Sequence, residues 1–104
     1  MQKEINHTKK YTFILEFRGG TYIKQVSKKS IKKAFNKWIS ILTSESYKKY
    51  FSTKEQKFFK ENSINLEQIV PLEGIENVWY NGFLYKNEYY HFHIILTNNG
   101  NVSD

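Results

Sequence analysis

Residues 11–26, YTFILEFRGGTYIKQV, hold two runs of alternating apolar and polar side chains on either side of Gly19 and Gly20. A period of two marks a strand with one buried face. A glycine pair between two such runs marks a hairpin, because glycine adopts the positive φ of a two-residue primed turn without strain. With Gly19 and Gly20 in the turn, Arg18 faces Thr21. Tyr11, Phe13, Leu15 and Phe17 then share one face with Tyr22 and Val26, while Thr12, Ile14, Glu16, Ile23 and Gln25 share the other. The first face is richer in large apolar groups and is the predicted core side.

In SKKSIKKAFNKWISIL the period lengthens to that of a helix, with Ile31, Ala34, Phe35, Trp38, Ile39 and Leu42 on one side. Ser27 or Ser30 can cap its start by accepting a bond from an early backbone N–H. Lys29, Lys32, Lys33 and Lys37 lie opposite the apolar stripe. Farther on, Ser52 stands three residues before Glu55. In that capping-box spacing each side chain satisfies the other's backbone N–H, so a short second helix is expected, docked by Phe58 and Phe59. The segment ENSINLEQIVPLEGIEN holds the single proline and no sustained period, and reads as a connection.

VWYNGFLY and YYHFHIIL form a second hairpin, joined at Lys86 and Asn87 or at Asn87 and Glu88. Either turn sets Trp79, Phe83, Tyr85, Tyr90, Phe92, Ile94 and Leu96 on one face. Val78, Tyr80, Gly82, Leu84, Tyr89, His91, His93 and Ile95 fall on the other. The order strand, strand, helix, short helix, strand, strand implies an α+β fold, in which an antiparallel sheet of two hairpins packs against an amphipathic helix.

The 104 residues suit one domain with a single core. It is expected to span residues 1–104, with an ordered part from about 11 to 97 between polar tails. The absence of cysteine removes disulfides, thiolate metal sites and cysteine nucleophiles. MQKEINHTKK lacks the apolar stretch of a signal peptide, and the apolar runs fall far short of the roughly 20 residues that cross a bilayer. A cytoplasmic protein without a membrane partner is expected.

Fifteen lysines and Arg18 against ten carboxylates give a net charge of +6. The charge is divided, with residues 1–60 at +11 and residues 61–104 at −5. Such polarity suits a charged protein partner as readily as nucleic acid. The scarcity of arginine argues against bidentate recognition of bases or phosphates.

His91 and His93 stand two apart on one strand and share a face, a spacing that could chelate a divalent metal. No third ligand flanks them, so neither a metal nor any other cofactor is expected. The pattern is similar to the metal-binding strand of relaxases and rolling-circle nucleases, but no tyrosine follows His93 to act as nucleophile. No spacing suggests a nucleophile with a positioned base, and the chain is expected not to be an enzyme.

FILEFRGGTYIKQV, followed by a helix with Ala34 and Trp38 and closed by an aromatic hairpin, resembles the small immunity proteins of bacterial polymorphic-toxin and contact-dependent growth inhibition systems. The resemblance spans residues 11–96 and implies a cytosolic inhibitor that binds one cognate toxin domain. If that toxin is a nuclease, its groove is positive, and Glu61, Glu67, Glu73 and Glu76 are the candidate phosphate mimics. Lys29, Lys33 and Lys37, together with Tyr80, His91 and His93, are the alternative partner-binding residues. The strand, GG turn, strand, helix opening also resembles HicB-type antitoxins, and a nucleic-acid-binding module using the lysine-rich helix is the other alternative. This chain lacks the Pro- and Gly-containing segment that HicB proteins carry before the helix.

The acidic set makes a charge-reversal prediction. Changing Glu67, Glu73 and Glu76 to Lys slows association with the partner and leaves the fold intact, as read by stopped-flow binding and circular dichroism. Survival of binding in that variant, with loss when Lys29, Lys33 and Lys37 become Glu, would move the interface to the helix.

Overall fold

The computed structural model describes residues 8–61 and 69–98, with the backbone alone at Phe83. The described elements are β1 (Lys9–Phe17), β2 (Gly20–Lys28), α1 (Ile31–Leu42), a 3-10 turn (Glu45–Tyr47), α2 (Thr53–Glu61), β3 (Val70–Pro71), β4 (Val78–Tyr85) and β5 (Glu88–Asn98). The strands form one antiparallel sheet in the order β2-β1-β5-β4-β3, so the fold is α+β. No helix among the described residues is long and apolar enough to cross a membrane.

Both hairpins close on turns whose two central residues have positive φ, the type I′ geometry that follows the twist of the strands. In the first, Phe17 pairs with Gly20, so the turn is made by Arg18 (φ 53°) and Gly19 (φ 78°), not by Gly19 and Gly20. The expected pairing of Arg18 with Thr21 is thereby shifted by two residues. Side-chain direction repeats every two residues, and every face assignment survives the shift. Gly20 lies in β2 beneath the Tyr22 ring, where a Cβ would come within 2.8 Å of the phenol oxygen. In the second hairpin Tyr85 pairs with Glu88, and Lys86 (φ 50°) and Asn87 (φ 68°) make the turn.

The segment read as a connection contains β3, where Val70 and Pro71 pair with Tyr80 and Trp79. A two-residue strand is too short to show a period. Pro71 has no N–H to donate, which suits its place at the sheet edge.

Both helices lie on the same side of the sheet. Phe13 stacks on Trp38 with centroids 4.7 Å apart, and Trp38 and Phe35 reach Phe92 at 5.0 and 5.9 Å, which seats α1 over the paired strands β1 and β5. Phe17 stacks on Tyr90 at 3.5 Å, and Phe59 of α2 meets Tyr90 edge-on at 5.2 Å. The alternating pattern predicts a core of Phe13, Leu15, Trp38, Phe83 and Phe92, and of these Phe13, Leu15, Trp38 and Phe92 are buried. The Phe83 side chain lies outside the described residues.

Of the two candidate caps, Ser30 starts α1, its hydroxyl accepting from the Lys33 N–H at 3.2 Å. At the other end the Thr43 and Ser44 hydroxyls donate to the carbonyls of Ile39 and Ile41. The buried Gln56 amide donates to Leu42 O at 3.0 Å and Ser44 O at 2.8 Å. The Gln56 bonds reach a carbonyl of the last turn, where a helix offers no intrahelical donor, and another just beyond it, and they tie α2 to the end of α1.

Phe92 has no exposed surface and sits between Trp38 and Phe35. Phe92→Ala is expected to cost about 3–5 kcal/mol, the transfer term plus the cavity, measured as a fall in the denaturation midpoint. An unchanged midpoint would contradict this packing.

Candidate functional site

The alternation that buries one face of the sheet fixes what the opposite face displays. Register aligns Ile23, Ile14, His93, Tyr80 and Val70 in a row across all five strands. Beside it run Thr21, Glu16, His91 and Gly82, and on the other side Gln25, Thr12, Ile95 and Val78. Among the described residues no helix covers this face. Ile23 and Leu84 are each 60% exposed, and Val70 and Tyr89 are also open to solvent.

Its centre is an aromatic and imidazole cluster. The Tyr80 hydroxyl lies 3.1 Å from His91 Nδ1, and the Tyr80 and His93 rings are 5.1 Å apart. Tyr89 meets His91 edge-on at 4.3 Å. Gly82 makes room for this arrangement, because a Cβ there would fall 2.7 Å from the Tyr89 hydroxyl and 2.8 Å from the Tyr90 carbonyl oxygen. Burial, reinforced by a hydrogen bond with Tyr89, pushes the Tyr80 phenol above its ordinary value. Toward the first turn a cleft of about 380 Å³ opens between Glu16, Arg18, Thr21, Tyr89 and His91.

A second polar cluster fastens the turn to α2. Glu55 is the capping residue that the spacing to Ser52 implies: Ser52 N–H donates to its Oε1 at 2.8 Å, and the Glu55 N–H donates to Ser52 Oγ at 3.1 Å. Its other oxygen accepts from Arg18 Nη2 at 2.6 Å and from the Tyr90 hydroxyl at 3.2 Å. Arg18 also donates through Nε to Glu88 at 3.1 Å. The Glu55 side chain is 4% exposed and that of Arg18 is 53% exposed, so the carboxylate is held inside by donors while the guanidinium remains hydrated. The capping spacing was legible in the sequence; the partners Arg18 and Tyr90, 37 and 35 residues away, were not.

The residues singled out from sequence fall in three places. Tyr80, His91 and His93 come together on the open face. Lys33 and Lys37 are exposed on α1, and Lys29 is exposed just before it. That helix covers the core side, so these lysines and the Tyr–His cluster belong to opposite sides of the molecule. Glu61 ends α2 and pairs with Lys57 at 3.7 Å, while Glu73 and Glu76 are exposed between β3 and β4. Glu67 lies outside the described residues. No group of three or more His, Asp or Glu among the described residues is placed to hold a metal ion.

Burial, then the nearby Glu55 carboxylate, raises the Tyr90 phenol far above its ordinary value of 10.0. The fold therefore favours the neutral phenol. Its contribution to stability is complete below the unfolded pKa of about 10 and is lost as pH rises beyond it. Tyr11, Tyr47 and Tyr80 shift in the same direction. Denaturant titrations across alkaline pH are expected to show stability falling above about pH 10, with a shallower fall in Tyr90→Phe. Equal slopes in the two proteins would contradict the assignment.

No protein-family model, curated protein or solved structure matches the chain.

Proposed function

We propose that this chain is a non-enzymatic binding protein, an immunity protein that neutralises a cognate bacterial toxin domain in the cytoplasm by direct contact that occludes its active site or substrate surface. The observation that carries the reading is the open face of the sheet. Ile23, Ile14, His93, Tyr80 and Val70 run across it without interruption by a charge. The strand spacing and rise give a surface of roughly 600 Å². That approaches the ~800 Å² each partner contributes to a standard protein–protein interface. Tyrosine at the centre of such a surface is a frequent anchor of binding energy.

Nucleic acid fits this face less well. A stacking platform needs cations beside the rings to meet the phosphates. Here Lys29, Lys33 and Lys37 flank or ride the helix on the other side of the sheet, Arg18 at the adjoining cleft is paired with Glu55 and Glu88, and Glu16 lies beside His91. Glu73 and Glu76 occupy an exposed turn at the β3 edge, where they can extend the contact toward a basic partner.

Co-expression with the toxin domain encoded by a neighbouring gene tests the reading. Wild-type protein is expected to restore growth and co-purify with the toxin. Tyr80→Ala weakens the complex about 30-fold or more, with the melting temperature held within a few degrees. Failure of the wild type to protect, together with oligonucleotide binding that declines steeply as salt rises, would establish the nucleic-acid reading instead.

A further inference from the structure

The two edges of the sheet differ. At one end stands β3, two residues long and closed by Pro71. At the other stands β2, nine residues long and without proline, whose outer side has no strand beside it among the described residues. The two-residue turn makes Phe17 and Gly20 a hydrogen-bonded pair. Alternation then commits Tyr22, Lys24 and Val26 to β1, and turns the N–H and C=O groups of Thr21, Ile23, Gln25 and Ser27 outward. The second hairpin agrees independently. Pairing from Tyr85 and Glu88 commits Tyr90, Phe92 and Ile94 to β4 and leaves His91, His93 and Ile95 for Glu16, Ile14 and Thr12 of β1, the residues that β2 does not use.

The edge strand and the helix that follows it carry charge of one sign, with Glu16 of β1 the carboxylate facing the strand at Thr21. Between Gly20 and Ser44 stand six lysines, Lys24, Lys28, Lys29, Lys32, Lys33 and Lys37, and no carboxylate. A second copy of the chain would bring lysine against lysine along the edge, an arrangement that opposes self-pairing. We propose that β2 accepts an added strand from a protein partner, an extended segment with carboxylates near Lys24 and Lys28 and an aliphatic side chain beside the exposed Ile23. The added strand takes its affinity from the outward backbone groups and its selectivity from the lysines. The inference rests on the chain being a protein-binding domain, not on the open face being the contact surface.

Amide hydrogen exchange on the isotope-labelled protein tests it, with a short capped peptide alternating glutamate and valine as probe. In free protein the amides of Thr21, Ile23, Gln25 and Ser27 exchange fast, and those of Tyr22, Lys24 and Val26 exchange slowly. The peptide slows the first group, and a peptide with lysine in place of glutamate binds about tenfold more weakly. Lys24→Glu with Lys28→Glu reverses that preference. Four results would overturn the proposal: outward amides already protected without peptide, no protection with it, equal binding of the two peptides, or stronger protection of the same amides by a single-stranded oligonucleotide. No toxin takes part in this measurement, so its failure leaves the immunity reading standing, and loss of growth protection leaves the peptide result unchanged.

Discussion

The pairing of β1 with β5 is the contact on which the rest of the structure depends. It joins strands from the two ends of the described chain, setting Phe13 against Ile94 and Leu15 against Phe92 at the centre of the sheet. Neither hairpin alone offers a surface wide enough to bury Trp38, whose indole touches Phe13 from one hairpin and Phe92 from the other. With the two joined, α1 has a continuous apolar floor. Such a non-local contact closes a long loop before it contributes, which ties the appearance of the core to the docking of one hairpin on the other.

The same pairing creates the open face. Each strand carries its core residues and its outward residues in strict alternation, so whatever register buries Phe13 and Phe92 must also bring Ile14 beside His93. A shift by one residue would invert both faces at once. Core stability and the candidate binding surface are therefore products of one constraint. The placement of both helices on the core side then separates the lysines of α1 from Tyr80, Tyr89, His91 and His93. The net charge of +6 is therefore unevenly placed, with the lysines of α1 on the far side of the sheet from the exposed aromatic face.

Glu55 shows how a local signal acquires a tertiary role. Its first oxygen completes the cap of α2, and its second gathers Arg18 and Tyr90. The carboxylate is buried without being stranded, since each donor it meets offsets part of its desolvation. Arg18 in turn occupies a backbone conformation uncommon for a residue with a side chain, and its two ion pairs hold the turn against α2 and the second hairpin.

The sequence by itself determined the direction of side chains in both long hairpins, the buried stripe of α1 and the capping pair Ser52 and Glu55, and it narrowed the α1 cap to Ser27 or Ser30, because each is set by spacing within a few residues. It also placed Tyr80, His91 and His93 on one face, since parity alone decides that. Tertiary structure decided the rest. Local preference placed the first turn at Gly19 and Gly20, where glycine takes positive φ freely, and parity could not correct it because it is the same one residue earlier; the ion pairs of Arg18 and the Tyr22 ring over Gly20 belong to the arrangement with Arg18 and Gly19 in the turn. The strand order, the pairing of Val70 with Tyr80, and the meeting of Arg18 and Tyr90 at Glu55 join residues too distant or too few to leave a periodic trace. Such contacts exist only once the hydrophobic floor has brought the two hairpins and both helices together.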